Sequence, residues 1–136
     1  MSPADLEAFL ARAFPDLDTT EFEVEAVRAD GLDLRLRVKP KHLRPGNTVS
    51  GPTLMTLADT ATYLALVARK GLEAAPAVTT SLTMQFLRRP PHADLRARAT
   101  LLRAGARLSV AEVLISPVEG GEPVAHATVS YFLPVK

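Results

Sequence analysis

Residues 51–68 read Gly51-Pro52-Thr53-Leu54-Met55-Thr56-Leu57-Ala58-Asp59-Thr60-Ala61-Thr62-Tyr63-Leu64-Ala65-Leu66-Val67-Ala68. Apart from the Tyr63 phenol, Asp59 is the sole ionisable side chain in this stretch. On a helical wheel Leu54, Leu57, Ala58, Ala61, Leu64, Ala65 and Ala68 form one apolar stripe. Met55 and Leu66 fall on the far side, beside Asp59. A helix apolar nearly all round is expected to be buried, and a carboxylate within it is costly unless it is paired or used. Asp59 is therefore the first candidate for chemistry.

The flanking sequence supplies the elements around this helix, which is expected over 51–70. Ser2 is placed to cap a first helix with Pro3 at its start, and Leu6, Phe9, Leu10 and Ala13 share one face before Pro15. Residues 1–20 are thus a helix and its lead-in. Phe22, Val24 and Ala26 alternate with Glu21, Glu23 and Glu25. After Asp30-Gly31, a hairpin turn signal, Leu32, Leu34, Leu36 and Val38 alternate with charged residues. Residues 39–50, broken by Pro40, Pro45 and Gly46, read as a loop. Four strands follow the central helix, over 77–87, 94–103, 107–116 and 123–133. The order α-β-β-α-β-β-β-β predicts one α+β domain over 1–136, a curved antiparallel sheet wrapped around one long helix.

Composition narrows the function classes. A length of 136 residues with 47% hydrophobic content suits a single domain with a real core. The net charge of +1 gives no electrostatic case for nucleic acid or a membrane surface. There is no cysteine, which removes thiol nucleophiles and thiolate metal sites. His42, His92 and His126 lack metal-ligand spacing, so no metal is expected. The N-terminus lacks the basic and apolar regions of a signal peptide, and the central helix is too short and threonine-rich for a membrane span. A cytoplasmic location is expected, and the Ala/Arg-rich composition suggests a bacterial source.

With Asp59 and this element order in hand, the chain resembles the hotdog-fold thioesterases, the PaaI-like acyl-CoA thioesterases in particular. The strongest matching stretch is Arg44-Pro45-Gly46-Asn47-Thr48-Val49-Ser50-Gly51-Pro52, followed by Leu57-Ala58-Asp59-Thr60-Ala61. Further matches are Thr79-Thr80-Ser81-Leu82, Phe86-Leu87-Arg88-Arg89-Pro90, Gly105-Ala106-Arg107-Leu108 and Ala125-His126-Ala127-Thr128. The family typically carries His-Gly-Gly at the start of the helix. Here Ser50 stands where the His is common and Pro52 where the second Gly is.

The resemblance implies hydrolysis of a small or medium acyl-CoA, an aromatic one included, with coenzyme A as part of the substrate and no separate cofactor. Asp59 would be general base or nucleophile. The Gly51 amide would polarise the thioester carbonyl at the helix N-terminus, where free N–H groups favour developing negative charge. Asp59 and these amides are expected to face one cavity. Thr79 would orient the water on a strand donated by the partner subunit, which implies a homodimer or homotetramer with sites at the interface. Ser81 and Thr83 share that strand's spacing with Thr79 and compete for the role. Asn47 could orient substrate or form a turn. Ser50 could cap the helix or replace the His toward substrate, with Pro52 beside it. Tyr63 and Leu66 could line the acyl pocket or pack in the core. Arg88, Arg89, Arg103 and Arg107 sit at strand ends, where guanidinium groups can reach the phosphates of coenzyme A. Two other classes stay open: a non-catalytic acyl-CoA-binding module, and a hydratase or dehydratase, which usually pairs a His with an acid.

Overall fold

Local sequence chemistry sets both helices. In α1 (Pro3–Ala13) the Ser2 hydroxyl accepts from the Asp5 amide at 3.1 Å and Asp5 accepts from the Ser2 amide at 3.0 Å, a reciprocal capping box. Leu6, Phe9 and Leu10 are buried. In α2 (Gly51–Lys70) Ser50 is the N-cap, its hydroxyl accepting from the Thr53 amide at 3.3 Å. Gly71, with φ of 83°, ends this helix in a backbone region that favours glycine. The computed structural model describes residues 1–135.

Among the described residues, six strands form one antiparallel sheet: β1 (Phe22–Arg28), β2 (Gly31–Leu36), β5 (Val78–Phe86), β6 (Leu95–Ala104), β7 (Leu108–Pro117) and β8 (Ala125–Phe132). Their spatial order is β1-β2-β6-β7-β8-β5. Two short strands, β3 (Leu43–Arg44) and β4 (Thr48–Val49), make a hairpin within the segment expected to be loop. Its turn has Pro45 second and Gly46 third, the latter at φ 101°, and the Asn47 amide donates to the Arg44 carbonyl at 3.2 Å.

The sheet packs its apolar face on α2. Leu32, Leu34, Ala97, Ala99, Val113, Ile115, Ala127 and Val129 are fully buried together with Leu54, Leu57, Ala61 and Leu64 of the helix. The small alanines on β6 and β8 let a helix with Leu at its contact positions approach the sheet closely. This is the expected wrapped-helix architecture.

One expectation about α2 is corrected. The helix is enclosed all round only from Ala61 to Val67. Its first half has an open face on which Pro52, Met55 and Thr56 are exposed and Asp59 is half-buried. Met55 points to solvent and Leu66 into the core, so neither forms the environment of Asp59.

The two sheet edges differ. At β1, Glu7 of α1 accepts from the Val24 amide at 2.8 Å, next to a bulge between Val24 and Ala26. The helix and the bulge together blunt that edge. At the other edge β5 pairs with β8 alone among the described residues, and most of its side chains, Thr79 to Ser81 included, are exposed.

Candidate active site

Asp59 is held by two hydroxyl groups. The Thr79 hydroxyl of β5 donates to Asp59 Oδ1 at 2.8 Å. The Tyr131 phenol of β8 donates to the same oxygen at 2.7 Å and lies 3.2 Å from the Asp59 backbone carbonyl. Among the described residues no group donates to Oδ2. Hydrogen bonds to an ionised carboxylate are worth about 1.5–3 kcal/mol each, so this carboxylate is firmly tethered.

Thr79 makes this contact within its own chain, which corrects the expectation that a partner subunit supplies it. The cause is a bulge. Thr79 pairs with Tyr131, but Ser81 pairs with Ser130, leaving Thr80 unmatched. The extra residue shifts strand parity. Thr79 and Tyr131 therefore face the helix, while Ser81 and Thr83 pair with Ser130 and Thr128 on the outer face. Ser81 and Thr83 do not compete for the site.

Asp59 opens into a cavity of about 320 Å³. Leu10, Phe14 and Phe22 from the N-terminal segment form its apolar wall, with Thr56, Tyr63 and Tyr131 opposite. Tyr63 stacks on Tyr131 with ring centres 5.9 Å apart and donates to the Ala75 carbonyl at 2.7 Å. It is thus wall and core packing at once. Burial raises the Tyr63 phenol above its ordinary range. Burial, aided by the charge of Asp59, pushes Tyr131 far above its own, so it stays a donor at any physiological pH.

The helix N-terminus forms a second feature. Ser50 spends its hydroxyl on the Thr53 amide and the Thr53 hydroxyl (2.8 Å), and so serves as the cap rather than as a substitute for the His. Pro52, second in the helix rather than first, has no N–H. The Leu54 amide bonds to the Ser50 carbonyl at 3.2 Å. In this first turn the Gly51 amide is left without a partner among the described residues. It lines a separate, larger cavity of about 710 Å³ with Arg44, Phe86, Arg88 and Arg89.

Gly51 and Asp59 therefore do not share a cavity within one chain, contrary to expectation. They are eight residues apart on α2, about 12 Å along the axis at ~1.5 Å per residue.

The arginines divide. Arg88 donates to the Pro123 carbonyl at 2.8 Å and pairs with Glu122 at 3.1 Å, and Arg89 donates to the Gly46 carbonyl at 2.8 Å. Both rim the Gly51 cavity, joined by Arg44, which sequence reasoning left out. Arg107 lies with Lys70, at the far end of α2 from Gly51, and does not belong to this rim. Arg103 does not line the cavity either. Asn47, exposed and at φ 58°, is a turn residue outside the lining of both cavities.

The histidines are occupied elsewhere. His42 Nδ1 accepts from the Lys39 amide at 2.8 Å, so Nε2 carries the proton and donates to Glu21 at 2.9 Å. His126 meets Glu112 at 2.8 Å on the outer face of the sheet. Among the described residues there is no group of three or more potential metal ligands, and no helix is long and apolar enough to cross a membrane.

Tyr131 was not foreseen. Its signal was present in the apolar run Ala125, Ala127, Val129, Tyr131, whose last member carries the single polar tip on that face.

Comparison with known proteins bears on the family and the fold. A family model described as Thioesterase superfamily matches residues 46–124, more than half of the chain. A crystal structure from Silicibacter sp. TM1040, provisionally described as a thioesterase, is 36% identical with a TM-score of 0.88, covering 99% of this chain and 93% of that one. A mutant of the phenylacetic acid degradation protein PaaI from Thermus thermophilus is 26% identical with a TM-score of 0.74, covering 88% and 99%. Zebrafish thioesterase superfamily member 2, at 18% identity and a TM-score of 0.85 over 98% and 99%, shares the fold. No curated protein matches the chain significantly in sequence. The chain belongs to the hotdog-fold thioesterase superfamily, among its PaaI-like members.

Proposed function

We propose that this protein is an acyl-CoA thioesterase acting on small to medium acyl groups, aromatic ones included. The observation that carries this is Asp59, which lines a cavity with one oxygen tethered and the other without a donor among the described residues. Water placed at Oδ2 loses a proton to the carboxylate as it attacks the thioester carbonyl. The negative charge on the carbonyl oxygen is stabilised by a free backbone amide, an interaction typically worth roughly 3–4 kcal/mol of barrier. Collapse breaks the C–S bond, and the proton held by Asp59 passes to the departing thiolate. The products are a carboxylic acid and coenzyme A.

The distance between Gly51 and Asp59 requires the amide and the carboxylate of one site to come from different chains. The open β5 edge is suited to such pairing. Two β5 strands joined antiparallel about a two-fold axis extend the sheet and set two α2 helices side by side in opposite directions. Each Asp59 then lies near the partner's helix N-terminus. A homodimer is the smallest assembly that works, and a homotetramer would contain two such pairs.

At about 320 Å³ the Asp59 cavity is at the small end of ligand pockets. A thiol-release assay over aryl-, short-, medium- and long-chain acyl-CoAs is expected to show turnover for the first three and little for the last. Absence of release from every member would leave a non-catalytic acyl-CoA-binding protein.

Arg44, Arg88 and Arg89 supply a cationic rim beside Gly51 suited to the phosphates of coenzyme A. The Arg88→Gln/Arg89→Gln double variant is expected to raise KM for acyl-CoA about tenfold, and less at high salt. It should leave a truncated thioester without the nucleotide unaffected. Equal effects on both substrates would remove the arginines from nucleotide binding.

A further inference from the structure

Two hydroxyl donors converge on one oxygen of Asp59, from adjacent strands that a bulge brings into phase. Thr79 is exposed on the sheet edge, whereas Tyr131 is 4% exposed and packed against Tyr63. The Thr79 hydroxyl sits on a short side chain with no ring packed against it. The Tyr131 phenol is held more firmly, because stacking on Tyr63 restricts the ring and its proton has two acceptors, both on Asp59.

We propose that Tyr131 is the positioning residue of this site, fixing Oδ1 of Asp59 so that Oδ2 alone is presented to the cavity. This rests on the catalytic role of Asp59 and adds to it. Tyr131 lines the cavity but exchanges no proton with water or thioester. It acts by restricting the rotation of the carboxylate about its terminal torsion, a torsion that is otherwise broad. Without the phenol, Thr79 alone holds the group, and the carboxylate spends less time with an oxygen aimed at the attacking water.

The kinetic test compares Tyr131→Phe in two backgrounds. In the wild-type chain it is expected to lower kcat about tenfold with KM unchanged. In the Asp59→Asn chain it is expected to lower the residual kcat no further, because the group it positions is gone. An equal loss in both backgrounds, a change confined to KM, or undiminished kcat overturns the proposal. Full turnover in Asp59→Asn would remove the catalytic role itself, a different failure.

A spectroscopic test needs no turnover. The chain has two tyrosines and no tryptophan, so in Tyr63→Phe the near-ultraviolet tyrosine band belongs to Tyr131 alone. Asp59→Ala in that background is expected to shift the band to shorter wavelength as the phenol loses its carboxylate acceptor. An unmoved band overturns the proposal.

Discussion

Asp59→Asn is expected to fold as the parent does and to lose at least ~100-fold in turnover, the usual scale for a positioned acid–base group. That loss is about 2.7 kcal/mol of barrier. The fold should survive because both neighbours of Asp59 are donors. Thr79 and Tyr131 can each donate to an amide oxygen in the place of Oδ1. The new NH2 group takes the place of Oδ2, on the open face of α2, where water can satisfy it. What changes is the strength of two hydrogen bonds, from charge-assisted to neutral, at a cost of about 1 kcal/mol each. The midpoint of thermal unfolding should therefore move by several degrees while kcat collapses. Undiminished turnover with a lowered midpoint would make Asp59 a structural residue.

The helix and its acid were legible in the sequence because both signals are local. A cap at Ser50, a proline in the first turn and an apolar stripe define α2, and Asp59 stands out against uncharged neighbours. The main strands were legible from alternation and turn residues, and each lies close to its expected span. The short pair β3 and β4 was not, since two residues per strand carry no period. The phase of β5 was also hidden. A bulge adds a single residue without a compositional mark, yet it sends Thr79 to the helix face and Ser81 to the outer face. Tyr131 escaped notice for a related reason. It lies 72 residues from Asp59 in the chain, and only the β5–β8 register brings the two together. The division of Gly51 and Asp59 between two cavities follows from helix rise alone, but becomes visible once the lining of each cavity is known.

Mixing two inactive variants is expected to restore activity if each site draws on two chains. Asp59→Asn removes the base. Gly51→Pro removes the free amide, and the local backbone accommodates it. Ser50 is extended at φ −71° and ψ 153°, which suits a residue before proline, and position 51 is the first of the helix. The added ring would approach Phe86, since a Cβ built at Gly51 stands 3.4 Å from that ring. Phe86 is the last residue of β5 and more than half exposed in the single chain, and a small rotation of its ring makes the room. Each variant alone should lose at least ~100-fold. In a mixed dimer, one site combines the intact Asp59 of the Gly51→Pro chain with the intact Gly51 of the Asp59→Asn chain, and the other site carries both defects. With equal amounts and random exchange, half of the dimers are mixed and half of their sites are whole, so about a quarter of parental activity should return. The two variants should elute as dimers or tetramers in light scattering both before and after mixing. If the amide and the carboxylate served the same site from one chain, every site in the mixture would carry one defect and nothing would be regained. Recovery thus separates a site built across β5 edges from one built within a chain, and it does so without knowledge of the acyl group.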